Sequence, residues 1–573
     1  MDLTEKCRAV LEGDLLSLST GRADAEIDGV TAFREEVRDN HGLSDAFLHV
    51  EYDTADGTGE VDLFPDSPFV RCGAPLGGSQ KLVKAPSNHI RIHIITFRDN
   101  SDKNDYLVRE DMEWYYAKMH LPGQIFILEN VPDGRAFVVI SEHPSYAEAF
   151  LDAENGVFSI TGEYPYAAAR LPFADAAREI RKWYRRVYKG DPGGKAYIMS
   201  NTWGDRSCDT ALCHDFVMRE LDMAKKLGVD IMQLDDGWQH GITSNSKLGS
   251  GVFAGFYAVD EHFWDVHEGK FPESLYPIAK KASENGVTLG LWFAPDSSDS
   301  FSNIDRDMET LSRLHREYGV AYFKLDGVKF TDRTGEKRYL AFLDAMSQVD
   351  GGSLAFNLDI TADHRLGHWF HREYGTLFVE NRYTDWARYY PYRTLRNLWM
   401  LSRYIPSVKM QFEVLNPRRN PDKYGDDPVA PINYDMDYLF AIVMTANPLI
   451  WMEMQHLAPS DQDALSGIIS VYRRYVREMY PCDCEPIGDE PDGHSFSGFH
   501  LRGNGYGHLI LFRDVTDRNS RTFDIPGLPA DAEFTSLHSN AGCTFAHAEN
   551  AVTVGFSKER SYLWLRYVTV NNQ

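Results

Sequence analysis

Between residues 195 and about 480 the chain alternates eight times between a short apolar strand with a polar end and a connecting segment of helical character. The strands read AYIMSN, DIMQLDD, TLGLWFA, AYFKLDG, LAFNLDI, LFVENR, KMQFEVLN and PLIWME. Amphipathic helices lie between them, among them DFVMRELDMAKKLGV, METLSRLHREYG, YRTLRNLWMLSRYI and DALSGIISVYRRYVREMY. Short, almost continuous apolar runs are the mark of strands buried on both faces, and parallel strands covered by helices are buried in this way. Eight strand–helix units in this length predict a closed (β/α)8 TIM barrel. A doubly wound open sheet is the alternative, but no GxGxxG turn follows a strand and there is no P-loop.

Both flanks have a different texture. Residues 1–190 carry alternating runs such as FLHVEYD, HIRIHIITF, GQIFILEN and AFVVISE, separated by Gly, Pro, Asn and Asp, and predict an N-terminal β-sandwich domain. Gly190-Asp191-Pro192-Gly193-Gly194 reads as the linker to the barrel domain, 195–480. From 486 to 573 the runs GFHLRGNGYGHLILFRD, AVTVGFS and SYLWLRYV predict a small C-terminal β-sandwich domain.

Charge removes some classes of partner. The net charge is −26 with no Lys/Arg block, so phosphate backbones and anionic lipid are repelled, and neither nucleic acid nor membrane is expected as a partner. The seven cysteines lack a second pair at zinc-ligand spacing and suit reduced thiols, which predicts a cytoplasmic chain with no metal and no cofactor. The start, MDLTEKCRAVLEGD, has no apolar leader segment.

In a barrel of this kind the active site forms where the strands end. Strand two ends in Asp235-Asp236-Gly237-Trp238, strand four in Lys324-Leu325-Asp326-Gly327, and strand five in Asn357-Leu358-Asp359. Strand six ends in Glu380-Asn381-Arg382 with Asp385 beyond it, and strand eight in Trp451-Met452-Glu453. One such aspartate reads best as a helix cap or loop residue. Carboxylates ending several strands on one rim read as a catalytic site.

Glycosidic cleavage needs two carboxyl groups, one ionised to attack the anomeric carbon and one protonated to release the leaving oxygen. Asp326 is the expected nucleophile, because Lys324 stands two residues earlier on the same strand face and favours the ionised form. Asp385, between Tyr383 and Trp386, is the expected acid, with Glu380 in reserve.

At these residues the chain resembles the α-galactosidases of glycoside hydrolase family 36. FVMRELDMAKKLGVDIMQLDDGW is similar to that family's strand-two region, and LGLWFAPD to its FGLWFEPE, with Asp296 where Glu is usual. YFKLDG resembles the nucleophile strand, SNTWGD the first strand, and NPLIWMEMQHLAPSDQDALSGIISVYRRYVREMY the last strand and helix. The resemblance implies a retaining exo-acting α-galactosidase with Asp326 as nucleophile. It implies that Asp235, Asp236 and Lys324 bind sugar hydroxyls, and that Trp203, Trp238 and Trp292 help wall the pocket. Arg382 and Asn357 join the substrate-binding set, and homo-oligomers through the N-terminal domain are a further implication.

FNLDITADHR and FVENRYTDW depart from the family's acid/base region. An ungapped match sets Arg382 at the acid's place, whereas aligning on the downstream Arg-Thr-Leu-Arg brings Asp385 there. The same departure leaves the sugar open between a galactoside, an N-acetylgalactosaminide, a β-L-arabinopyranoside and an α-glucoside. Two other classes remain beside these: a non-catalytic carbohydrate-binding relative, and a metal-dependent barrel using Asp235, Asp236, Asp326 and Asp359 as oxygen ligands. His364, His368 and His371 fall at helical spacing and read as a solvated face.

Overall fold

The computed structural model describes residues 6–38, 46–73, 79–84, 89–98, 106–114, 118–143, 147–152, 157–161, 164–187, 195–205, 207–361 and 374–569. Contacts divide the chain into two compact units, 1–98 with 107–190 and 99–106 with 191–573.

The first unit is strand-rich. A nine-stranded antiparallel sheet runs from Val108–Trp114 at one edge to Val30–Arg38 at the other. Alternation along Ile90–Phe97 sends Ile90, Ile92 and Ile94 to one face. There they pack with Met119, Leu121, Ala149 and Ile160 of a four-stranded sheet. A three-stranded sheet, Arg8–Glu12, Leu15–Ser19 and Asp24–Ile27, builds a second core against Leu48, Val50, Val61 and Leu63. The helix Ala176–Arg186 closes this unit.

The second unit contains a closed parallel barrel of eight strands. They are β1 (Met199–Asn201), β2 (Ile231–Leu234), β3 (Thr288–Phe293), β4 (Tyr322–Leu325), β5 (Ala355–Asp359), β6 (Gly375–Phe378), β7 (Met410–Val414) and β8 (Asn447–Ile450). Each pairs with its neighbour in sequence, and Met199 of β1 pairs with Leu449 of β8, which closes the ring and excludes the open sheet. Strands six and eight are shorter than the sequence reading of LFVENR and PLIWME, so Glu380–Arg382 and Trp451–Glu453 lie beyond the strand ends, on the rim.

Among the described residues, longer helices follow seven of the strands: α1 (His214–Leu227), α2 (Tyr276–Asn285), α3 (Ile304–Tyr318), α4 (Arg333–Met346), α5 (Pro391–Leu401), α6 (Met436–Val443) and α7 (Pro459–Met479). Glycines in the left-handed conformation end α1, α2 and α3 at Gly228, Gly286 and Gly319. Only a residue without a Cβ turns there at no steric cost. The link from β5 to β6 includes 362–373, so His364, His368 and His371 lie outside the described residues.

After α7 the chain forms a five-stranded and a three-stranded sheet, which share one core including Leu509, Leu511, Phe523, Val552, Val554 and Leu565. No helix among the described residues is long and apolar enough to cross a membrane.

Candidate active site

The strand ends bring Asp235, Lys324, Asp326 and Asp359 together on one side of the barrel mouth. The amine of Lys324 lies 3.1 Å from Asp235 Oδ2 and 3.4 Å from Asp359 Oδ2, and all three side chains are buried. It also sits over the rings of Phe378 and Trp451, at 5.1 and 5.2 Å from their centroids. Burial alone would release its proton, but the carboxylates of Asp235, Asp359 and Asp326 outweigh that and hold its pKa above the ordinary lysine value. One ammonium therefore faces three carboxylates.

Asp326 begins the turn after β4. Its Oδ1 accepts from the backbone N–H of Gly327 at 2.6 Å, and its Oδ2 accepts from the indole N–H of Trp292 at 2.9 Å. Trp292 is fully buried near the end of β3, and its carbonyl accepts from Trp238 Nε1 at 2.8 Å. Trp238 is itself fully buried and stacks near Trp264, so it braces Trp292 from behind. Gly327 has φ +70°, and a Cβ there would run into the ring of Phe253. Phe253, half-buried, meets Trp292 edge to face at 6.2 Å. An aromatic wall thus encloses the Asp326 carboxylate on the β3 side.

The paired aspartates after β2 face different partners. Asp235 Oδ2 accepts from Asn201 Nδ2 at 2.7 Å as well as from Lys324, and its Oδ1 accepts from the N–H of Asp236. Asp236 accepts from Gln239 Nε2 at 2.7 Å and from the hydroxyl of Thr243. Burial, together with the charges of Asp235 and Asp209, pushes the Asp236 pKa up to about 7 against these two donors. Lys270 donates to the carbonyls of Gly237 and Asp209 at 3.0 Å each and fixes the turn after the pair.

On the β6 side, Glu380 is fully buried and accepts from Arg382 Nε at 3.2 Å and Asn397 Nδ2 at 2.7 Å. Arg382 is buried too, and its backbone N–H donates to Glu413 of β7 at 3.0 Å. Asp385 lies in the loop beyond and is only partly buried. Asn357 points into the barrel, where its amide donates to Gln411 Oε1 at 2.6 Å. Trp203 is nearly buried, its backbone N–H donating to Asn201 Oδ1 at 2.8 Å, in a cluster with Tyr383, Phe378 and Trp451.

Among the described residues, no group of His, Cys, Asp and Glu is arranged to hold a metal ion. Asp235 and Asp359 share an ammonium while Asp236 turns to Gln239 and Thr243, so the four aspartates of the metal reading do not converge.

Several contributors lay outside the sequence reading. Glu413 hides inside β7, and Phe253 sits in a long loop with no periodic pattern. Asp296 accepts from Gly255 N–H, the Ser298 backbone and hydroxyl, and Asn303, and so ties the loop after β2 to the loop after β3. Beneath it, burial pushes the Asp307 pKa up to about 8, against the hydrogen bonds from the Asp296 N–H and the Tyr257 hydroxyl. The sequence marked Asp296 only by its place in LGLWFAPD, where Glu is usual, and gave no sign of this tie between loops.

Residues 182–310 match the Melibiase family model. Curated relatives include the α-galactosidase Mel36A of Lactobacillus acidophilus, 36% identical over 111 residues, which are 19% of this chain and 13% of the relative. An α-galactosidase of Escherichia coli is 26% identical over 137 residues, 24% of this chain and 16% of the relative. The aligned stretches therefore span less than a fifth of either relative's length. Among solved structures, the family 36 α-galactosidase AgaA of Geobacillus stearothermophilus superposes with a TM-score of 0.68 at 13% identity, covering 94% of this chain and 87% of its own. A variant of that enzyme in complex with raffinose gives 0.68 at 12% identity, covering 99% and 89%. The α-galactosidase of Lactobacillus brevis gives 0.68 at 12%, covering 94% and 85%.

Proposed function

From a barrel that is α-galactosidase-like in the manner of glycoside hydrolase family 36, we propose that this chain is a retaining exo-glycoside hydrolase that removes terminal α-galactosyl residues from oligosaccharides or other glycosides. The observation that carries this reading is the Asp326 carboxylate at the end of β4, held by the Trp292 indole N–H at 2.9 Å beside the buried Lys324 ammonium. A carboxylate oriented by a donor and kept ionised by a nearby cation is the form a nucleophile requires.

In the first step an oxygen of Asp326 bonds to the anomeric carbon as the bond to the leaving oxygen breaks. The proton that the leaving oxygen needs comes from Asp385. In the second step Asp385 takes a proton from water, the water oxygen bonds to the anomeric carbon, and the ester to Asp326 breaks with net retention. Asp385 suits this task better than Glu380, because it is partly exposed in the β6 loop while Glu380 is buried against Arg382 and Asn397. Lys324, Asp235 and Asp359 offer a donor flanked by two acceptors, a pattern that suits neighbouring hydroxyls of one pyranose ring. Their mutual bonds pre-orient them before a sugar arrives.

The test is hydrolysis of nitrophenyl α-galactoside, α-N-acetylgalactosaminide, β-L-arabinopyranoside and α-glucoside by wild type and Asp326→Ala. Galactoside cleavage that vanishes in the variant, with a glycosyl azide of inverted anomeric configuration formed on adding azide, supports the assignment. Cleavage of a different sugar moves the specificity and keeps the nucleophile. Silence on all four overturns the reading.

A further inference from the structure

Asp235 and Asp236 are neighbours in the chain, but different parts of the molecule hold their side chains. Asp235 joins the Lys324 ammonium that Asp359 shares. The donors to the buried Asp236 carboxylate both come from the chain just after it. Gln239 Nε2 reaches Oδ1 at 2.7 Å, and the fully buried Thr243 hydroxyl reaches Oδ2. Gln239 is committed to the same turn, since its Oε1 accepts from the Gly237 N–H at 2.9 Å and its amide also donates to the Gly241 carbonyl at 3.1 Å. Each oxygen of Asp236 therefore has a buried donor before any sugar arrives.

What Asp236 holds leads back to Asp326. Thr243 pairs with Val252 across the loop between β2 and α2. The Val252 N–H donates to the Ile242 carbonyl and the Ser244 N–H to the Val252 carbonyl, both at 3.2 Å. A Cβ at Gly251 would overlap the Ile242 carbonyl, so the two arms of the loop are in close contact there. The next residue, Phe253, lies on Gly327 and meets Trp292 edge to face at 6.2 Å. Gly327 N–H and Trp292 Nε1 are the two donors that orient the Asp326 carboxylate. Other parts of the loop are fastened separately: Ser246 and the Lys247 N–H donate to Asp209, and the Gly255 N–H donates to Asp296 at 2.7 Å. Between these points the Thr243 hydroxyl ties the arm that carries Phe253 to the end of β2.

We propose that Asp236 is a positioning residue for the nucleophile: through Thr243 and Val252 it holds Phe253 against Gly327 and Trp292, and so fixes the donors to Asp326, in place of binding a sugar hydroxyl itself. The inference rests on the hydrolase reading above and deepens it by giving the two aspartates after β2 separate tasks.

The test measures kcat and KM across pH on whichever of the four nitrophenyl glycosides wild type cleaves best. The variants are Asp236→Ala, Thr243→Val, Thr243→Ser, Phe253→Ala and the Thr243→Val/Phe253→Ala double, each checked for folding by near-UV circular dichroism. Thr243→Val keeps the side chain's shape and leaves the Asp236 carboxylate in place, so a direct sugar ligand predicts unchanged kinetics. Positioning predicts instead that kcat falls by about 10- to 100-fold in Thr243→Val, Phe253→Ala and Asp236→Ala, with KM within about twofold of wild type. The acidic limb of the pH profile should move upward in all three, because the donors that favour ionised Asp326 are loosened. The double variant should be no slower than the slower single, since both changes break one line of contacts. Thr243→Ser restores the hydroxyl and should return kcat to within about threefold of wild type. The Thr243→Val and Phe253→Ala pair carries the test even where Asp236→Ala does not fold. Wild-type kcat in Thr243→Val, losses that multiply in the double, or a loss in Asp236→Ala carried by KM with kcat kept would each overturn the positioning role, while wild-type turnover leaves the hydrolase reading in place. Absence of wild-type hydrolysis on all four glycosides would overturn the hydrolase reading, and this inference with it.

Discussion

Replacing Lys324 with Met removes the ammonium that bridges Asp235 and Asp359 while keeping most of the side-chain volume. At separations of 3.1 and 3.4 Å, each ion pair amounts to about 5 kcal/mol at an effective dielectric of about 20. Much of that offsets the desolvation of three buried groups, so the net loss on breaking the cluster is about 3–5 kcal/mol. The sharper test is the coupling. Asp359→Asn alone removes one ion pair and leaves Lys324 with Asp235. In the double variant one of the uncompensated carboxylates is gone, so the two losses should fall short of additivity by about 2 kcal/mol. Urea unfolding of the barrel at pH 7, run on wild type, both single variants and the double, measures this directly. A second signature follows from pH. With the ammonium removed, the carboxyl cluster prefers to hold a proton in the folded state, so its folded pKa rises above its unfolded value. Stability tied to that proton is present at low pH and lost as pH rises, and Lys324→Met should therefore be least impaired near pH 5 and most impaired near pH 8. Galactoside hydrolysis should fall by about a thousandfold in Lys324→Met and stay low in the double variant, since the proposed donor to the sugar is lost in both. Additivity within about 0.5 kcal/mol, or a pH-independent loss, would refute the shared-ammonium argument.

Trp292→Phe keeps an aromatic ring and deletes the N–H that donates to Asp326 at 2.9 Å. A hydrogen bond to a charged group is worth about 1.5–3 kcal/mol, so kcat/KM should drop by roughly 10- to 150-fold, and the acidic limb of its pH profile should move upward; an unmoved limb would refute the orienting role. Gly327→Ala places a methyl group at φ +70° against the Phe253 ring, and should cut turnover at least tenfold as the nucleophile turn shifts; wild-type turnover would show that the turn tolerates displacement. Asp307, whose pKa is pushed up to about 8 from 3.8, contributes stability that is fully present below about pH 4 and lost as pH rises to about 8. Asp307→Asn should therefore melt increasingly above wild type from pH 5 to 8, and parallel melting curves would contradict that.

The barrel was legible in the sequence because each strand is local. Runs such as DIMQLDD and AYFKLDG carry their own burial pattern, and closure follows once eight of them are counted. The strand ends were less legible. LFVENR reads as one run, but the strand stops at Phe378 because Glu380 and Arg382 satisfy each other and Glu413 on the rim rather than in the ladder. The same holds for Trp451–Glu453, which leave β8 in the apolar-looking PLIWME.

What could be read of the site follows the same rule of distance along the chain. Asp235 with Asp236, and Lys324 with Asp326, are neighbours in sequence and were found together. The bonds that give them their roles cross between strands: Trp292 to Asp326, Lys324 to Asp235 and Asp359, Arg382 to Glu413. No periodicity records such pairs. This matters for how the family likeness is used. The matched stretch, 182–310, contains β1, β2 and β3 and ends before Asp326. It covers the Asp235–Asp236 pair, Trp238 and Trp292, but none of β4 to β8. Five of the eight strand ends thus lie outside the matched stretch, and they carry the proposed nucleophile, the proposed acid and the contacts beside Asp359. A change of sugar or of acid would have to be written there, so substitutions at Asp326, Asp359 and Asp385 weigh more on the functional assignment than any substitution within the matched stretch.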